Sequence, residues 1–205
     1  MSRRIQPKSI PILLITLLVL TGFVGKAERE SLRRAKSTLK QIFRFYDAGH
    51  DNLMNEFYPE KPDNRVTYLE GEDTITGKRV AYLWPTSGVF SAVNALLNTT
   101  GSREYLNLLE KKILPGLEQY YDSVRSPACY QSYITSAGKS DRYYDDNVWL
   151  ALDFCKLYMI TGDTEYLGKS VKIWQFVISG WDDRIGGGIY WCEQKKRSKN
   201  TCSNA

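Results

Sequence analysis

Asp145 and Asp146 stand side by side in the stretch DRYYDDNVWLALDF, where a tyrosine-rich segment gives way to a run that is apolar on nearly every side. Adjacent Cα atoms are about 3.8 Å apart and the side chains of consecutive helix-start residues diverge, so the two carboxyls can lie about 5 Å from each other. At that separation one carboxylate can attack an anomeric carbon while the other first protonates the leaving oxygen and then activates water; an inverting pair needs a wider gap. The positive end of a helix favours ionisation of one carboxyl, while a charged neighbour and apolar surroundings favour the protonated form of the other. Opposed shifts of this kind give two identical residues different roles. An aspartate ahead of an apolar helix is also a common N-cap, worth about 1 kcal/mol, and on the dipeptide alone the cap is the better reading.

Further residues bear on that choice. Aromatics make up 13% of the chain, and many fall in or beside long loops: Tyr58, Tyr68, Tyr130, Tyr133, Tyr143, Tyr144, Trp181, Tyr190 and Trp191. Flat rings with a polar edge suit sugar faces, although each ring taken singly is better explained by packing. In WDDRIGGGIYWCE, Gly186, Gly187 and Gly188 lie between polar and aromatic residues and permit close backbone approach to a ligand. The flanking pattern and lysine of a phosphate loop are missing. His50 is the only histidine, so a Ser-His-Asp or Cys-His arrangement has a single candidate and a histidine-based metal site is excluded. Asp141, Asp145 and Asp146 form a weak calcium pattern, and no metal site is expected. Cys129, Cys155, Cys192 and Cys202 match no metal spacing; Cys155 reads as a core residue, and Cys192 and Cys202 share a loop in which a disulfide can form. Carboxylate chemistry, which requires no cofactor, remains.

The elements that position the pair are organised by a repeat. NTTGSREYL from Asn98 aligns with MITGDTEYL from Met159, so that Gly101, Glu104, Tyr105 and Leu106 recur 61 residues later as Gly162, Glu165, Tyr166 and Leu167. Tyr82 falls on Tyr143, Leu96 on Leu157 and Asp122 on Asp183, and each unit is about two helices long. Tyr144 to Ile160 is predicted to be a helix buried all round, with Tyr82 to Leu97 as its small-residue counterpart. Ser102 to Leu114 and Thr164 to Ser179 carry an apolar stripe among charges and read as surface helices, the first kinked or broken by Pro115 and Gly116. Inner helices alternating with outer ones predict an all-α fold, an α/α toroid; an ordinary bundle or solenoid is the alternative. Turns from inner to outer helix are short and glycine-marked, whereas the returns (47–81, 123–142 and 184 onward) are long. The long loops therefore gather on the face that holds the inner-helix N-termini and both aspartates.

Composition adds limits. Arg3, Arg4 and Lys8 precede an apolar run from Ile10 to about Val24, closed by Gly25, Lys26 and Ala27, which is a signal-peptide layout for residues 1–27. The run is shorter than the roughly 20 residues of a spanning helix, so export without stable membrane insertion is expected, to a periplasm, the cell surface or the medium. Removing four basic and no acidic residues takes the net charge from +5 to +1. The basic cluster Lys195, Lys196, Arg197 and Lys199 is a solvated loop rather than a nucleic-acid surface. Residues 28–205 are read as one domain.

YYDDNVWLALDF, TGDTEYL and the GGGIYW loop together resemble glycoside hydrolase family 76, the endo-acting α-1,6-mannanases of bacteria and their fungal cell-wall relatives. The resemblance runs from about Glu28 to the end. It implies an (α/α)6 barrel of which about half is present, and a retaining mechanism with Asp145 as nucleophile and Asp146 as acid/base. It implies mannan or a mannose-containing oligosaccharide as partner, with Tyr144, Asn147, Tyr190, Trp191 and Gly187 as candidates for the sugar cleft. The last inner helix is expected to leave apolar surface uncovered. The alternative is a non-catalytic half-toroid that at most binds glycans or associates with another chain.

Overall fold

The computed structural model describes residues 12–59 and 79–204. Residues 1–11, the start of the expected export segment, and Tyr68 lie outside the described residues. Two compact units are distinguished, Met1–Thr38 and Leu39–Ala205. Helix α1 (Ile12–Tyr46) supplies the described part of the first, where Glu30 accepts hydrogen bonds from Arg33 at 2.7 and 2.8 Å and from Arg34 at 2.9 Å. Among the described residues no helix is long and apolar enough to cross a membrane.

The second unit continues with α2 (Leu83–Thr100), α3 (Arg103–Leu108), α4 (Leu114–Glu118), α5 (Tyr144–Thr161), α6 (Thr164–Ser179) and α7 (Thr201–Asn204). The inner helices α2 and α5 pack side by side, with Phe90 and Phe154 meeting edge to face at 5.1 Å. Asp153 binds the Ser91 hydroxyl and its backbone carbonyl accepts from Asn94 Nδ2 at 3.0 Å, a polar rung in an otherwise apolar seam. Ile173, Phe176 and Val177 of α6 close the core from the outside.

The repeat is reproduced bond by bond at the helix turns. Gly101 and Gly162 both take left-handed backbone (φ 62° and 76°) and donate to Leu97 and Tyr158, which ends each inner helix. Thr100 and Thr161 bond back to Leu96 and Leu157 and accept from the N–H groups of Ser102 and Asp163, both at 3.2 Å. Ser102 and Asp163 then cap the outer helices by accepting from Glu104 N–H at 3.3 Å and Glu165 N–H at 2.9 Å. The register slips further on. Asp122 accepts from Val124 N–H, but the residue that accepts from Arg184 N–H in the same way is Asp182, not Asp183.

Pro115 neither breaks nor ends the first outer helix. Between α3 and α4, Leu109–Ile113 is π-helical, with Leu114 N–H reaching back to Leu109. This wider turn absorbs the backbone donor that proline lacks. Gly116 is required by close approach, since a Cβ there would lie 2.4 Å from the Asn52 carbonyl oxygen.

The return loops hold short antiparallel strands that the helix periodicity did not announce. β1 (Tyr121–Asp122) pairs with β2 (Cys129–Tyr130), and β3 (Trp181–Asp182), β4 (Gly188–Cys192) and β5 (Lys195–Lys199) form a second small sheet. The predicted all-round burial of α5 is likewise not met: Trp149, Leu152, Lys156 and Met159 form an exposed stripe.

Candidate active site

Asp145 and Asp146 are the second and third residues of α5. The N-cap is Tyr143, in extended conformation and with no side-chain cap bond, so neither aspartate fills the role that Ser102 and Asp163 fill on the outer helices. What fixes the helix start is Asn147. Fully buried, it accepts from Tyr130 N–H at 3.1 Å through Oδ1, and its Nδ2 donates to the carbonyls of Tyr130 and Tyr143 at 2.9 Å each. One amide thereby ties β2 to the first turn of α5, leaving no polar atom of that side chain spare.

The two carboxyls have unlike surroundings. Asp145 is half-buried; its Oδ1 accepts from Asp146 N–H at 3.1 Å and its Oδ2 from the Trp191 indole Nε1–H at 3.0 Å. Burial raises its pKa, and these donors pull it back toward the ionised form. Asp146 is 8% exposed, and no hydrogen bond from the described residues reaches its carboxyl. Desolvation first, and the charge of Asp145 second, push its pKa up to about 8. The two neighbouring carboxyls are thus unlike: Asp145 accepts two N–H hydrogen bonds, while the more deeply buried Asp146 holds its proton up to about pH 8.

The structure separates the other sequence-nominated residues. Trp191 is half-buried, packs on Tyr143 at 5.2 Å and is the one that touches the pair. Tyr144 is turned inward: it stacks on Phe176 at 4.7 Å, and a Cβ at Gly180 would meet its ring at 2.6 Å. Tyr190 is 2% exposed, its hydroxyl donating to Asp182 and its ring lying under Lys199 Nζ at 3.7 Å. Gly187 sits in the turn before β4, four residues and about 13 Å of extended chain from Trp191. Gly186, Gly187 and Gly188 have φ of 80°, 82° and 115°, and a Cβ at Gly188 would lie 2.8 Å from Asn204 Oδ1. The triple glycine is therefore demanded by the turn itself. Of the other loop aromatics, Tyr130, Tyr133 and Tyr143 are buried, while Tyr58 and Trp181 are exposed.

No disulfide joins Cys192 to Cys202: the first thiol is buried against Gln194 Oε1 at 3.5 Å, and the second is exposed on α7. His50 lies in an exposed turn against Asp51. Among the described residues no group of three His, Cys, Asp or Glu side chains is placed to hold a metal ion.

Sequence reasoning missed Arg142 and Glu193. Arg142 is 1% exposed and forms a two-pronged ion pair with Glu193, with Nε to Oε2 at 2.8 Å and Nη2 to Oε1. The partners are 51 positions apart, and nothing in the local pattern links them.

Residues 32–205 match the family model of Glycosyl hydrolase family 76. No curated protein matches the chain. Among solved structures, a family 76 mannosidase from Bacteroides thetaiotaomicron VPI-5482 superposes with a TM-score of 0.68 at 24% identity, over 84% of this chain and 44% of that one. A family 76 glycoside hydrolase from a bovine Bacteroides thetaiotaomicron strain gives 0.65 at 29% identity, over 84% and 35%. An inactive variant of the α-1,6-mannanase from Salegentibacter sp. HEL1_6, with two consecutive aspartates replaced by asparagine and α-1,6-mannotriose bound, gives 0.58 at 20% identity, over 84% and 41%. The fold is that of the (α/α)6 toroid, and the chain spans less than half the length of these relatives.

Proposed function

Because the chain belongs to glycosyl hydrolase family 76, we propose that Asp145 and Asp146 carry out retaining hydrolysis of α-1,6-mannosidic linkages in mannan. The observation that carries this proposal is the unlike state of the two neighbouring carboxyls, one held by N–H donors, the other buried with its pKa at about 8. The α-1,6-mannotriose bound to the Salegentibacter relative supports the linkage.

In the first step the Asp145 carboxylate attacks the anomeric carbon while the Asp146 carboxylic acid gives its proton to the departing glycosidic oxygen. Esterification removes the charge of Asp145, and with it the second cause of the raised Asp146 pKa. Asp146, now a carboxylate, takes a proton from water as that water attacks the same carbon and releases Asp145. Two inversions give net retention. Trp191 stands beside the pair, bonded to Asp145. Residues 1–27 act as the export signal in this proposal, delivering a domain of 28–205 to the polymer outside the cytoplasm.

The pH dependence of mannan hydrolysis tests the assignment. Asp146 must be protonated to act first, so activity should fall as pH rises through about 8, and Asp146→Asn should lower kcat/KM by about 10²- to 10⁴-fold. Undiminished hydrolysis by that variant overturns it. The exposed apolar stripe on α5 favours a second proposal, a non-catalytic half-toroid that binds glycan or another chain.

A further inference from the structure

Two chain segments meet beside the aspartate pair, the entry to α5 and the β4–β5 hairpin, and their contacts form a ladder. Tyr143 and Cys192 make an antiparallel bridge. Glu193 N–H donates to the Arg142 carbonyl at 3.0 Å, and Arg142 N–H donates to Gln194 Oε1 at 2.9 Å. The Arg142 guanidinium binds Glu193 with two prongs, donates to the Pro127 carbonyl at 2.9 Å and lies over the Phe176 ring at 4.9 Å. Arg142 precedes Asp145 by three residues and Glu193 follows Trp191 by two. The ion pair and the Trp191–Asp145 bond therefore flank the Tyr143–Cys192 bridge across the same two segments.

The last rung acts on chemistry. Both oxygens of Asp145 are held by N–H donors, Oδ1 by the backbone of Asp146 and Oδ2 by the indole, whereas Asp146 receives none from the described residues. The titratable group facing Asp145 on α5 is Asp146; the hairpin presents the neutral Trp191 indole; and no Lys or Arg among the described residues pairs with Asp145. The deeper burial of Asp146 sets most of the asymmetry between two chemically identical side chains, and the Trp191 indole is the long-range donor that adds to it on the Asp145 side. We infer that Trp191 is a positioning residue that holds the Asp145 carboxyl oriented for attack, and that the Arg142–Glu193 ion pair keeps the indole in place. This rests on the reading of Asp145 as nucleophile.

The five tryptophans give the test a direct readout through their indole N–H signals. In ¹H–¹⁵N spectra of the whole chain, the signal absent from Trp191→Phe should shift with pH through a single protonation, and that shift should vanish in Asp145→Asn. In Glu193→Gln the same signal should lose its pH-dependent shift while Trp84, Trp149, Trp174 and Trp181 stay unchanged. If that variant unfolds, Arg142→Lys, which retains the cation without the planar fork, gives the same readout. A Trp191 signal that ignores pH, or that still tracks Asp145 when the ion pair is weakened, overturns the inference. On α-1,6-mannan, Trp191→Phe should lower kcat about tenfold to hundredfold with KM within about twofold. A loss carried by KM instead makes Trp191 a sugar-binding surface and defeats the positioning role. A wild-type chain that hydrolyses no mannan defeats the proposed function, while the indole titration still decides the contact.

Discussion

Asp146 stores a tension that can be measured without substrate. In the folded chain its carboxyl keeps a proton up to about pH 8, whereas unfolded it would release that proton near the ordinary aspartate value of 3.8. Between those values the folded state binds more protons than the unfolded one, so this group makes stability fall as pH rises through that window. Asp146→Asn should therefore be more stable than the parent at pH 8, by on the order of 5 kcal/mol, with the difference shrinking toward zero near pH 4. Denaturant melts at the two pH values check this, and an equal difference at both contradicts the buried, protonated state. The pair was legible in sequence because adjacency and an apolar run are local. Its asymmetry was not, since it depends on how deeply each carboxyl is buried in the fold and on a donor 46 positions away. Tyr144, Asn147 and Tyr190 show the reverse limit. A polar side chain near a loop suits a sugar or a core equally well, and here Tyr144 stacks on Phe176, Asn147 bonds backbone carbonyls and Tyr190 donates to the Asp182 carboxylate.

Among elements, the helix turns were the most readable part of the chain. Threonine, glycine, a capping residue and glutamate recur because each has a local role. The threonine bonds back to the helix, the glycine takes left-handed backbone, the next residue caps the outer helix, and the glutamate puts negative charge in its first turn. The π-helical segment before Pro115 was not readable, since a proline signals a missing donor without saying how the backbone absorbs it. The small sheets were hidden for a related reason, as strands of two to five residues carry too little alternation to register. Gly180 joins this level to the site. It ends α6 directly against the Tyr144 ring, one residue before Asp145. Gly180→Ala should force that ring to shift and destabilise the chain by about 1 to 3 kcal/mol, measured by chemical denaturation. A neutral effect would mean that the first turn of α5 is not held from below.

For the molecule as a whole, alternation of helices predicted the toroid, and α5 in this chain is not buried all round. Trp149 and Leu152 on α5, with Val171, Trp174 and Ile178 on α6, are each about half exposed or more. In a solitary chain such side chains face water, and an apolar surface of this kind favours association. The chain should therefore elute above its 23.5 kDa mass in size-exclusion chromatography and enhance the fluorescence of a hydrophobic dye, both reduced by Trp149→Glu with Trp174→Glu. A monomer indifferent to those changes contradicts the uncovered-face account. What the two aspartates do together is tested most directly by the configuration of the first product. Proton NMR of α-1,6-mannan during the earliest turnover should show the α anomer appearing before mutarotation, and no release with Asp145→Asn. First appearance of the β anomer, or undiminished release from that variant, would contradict it.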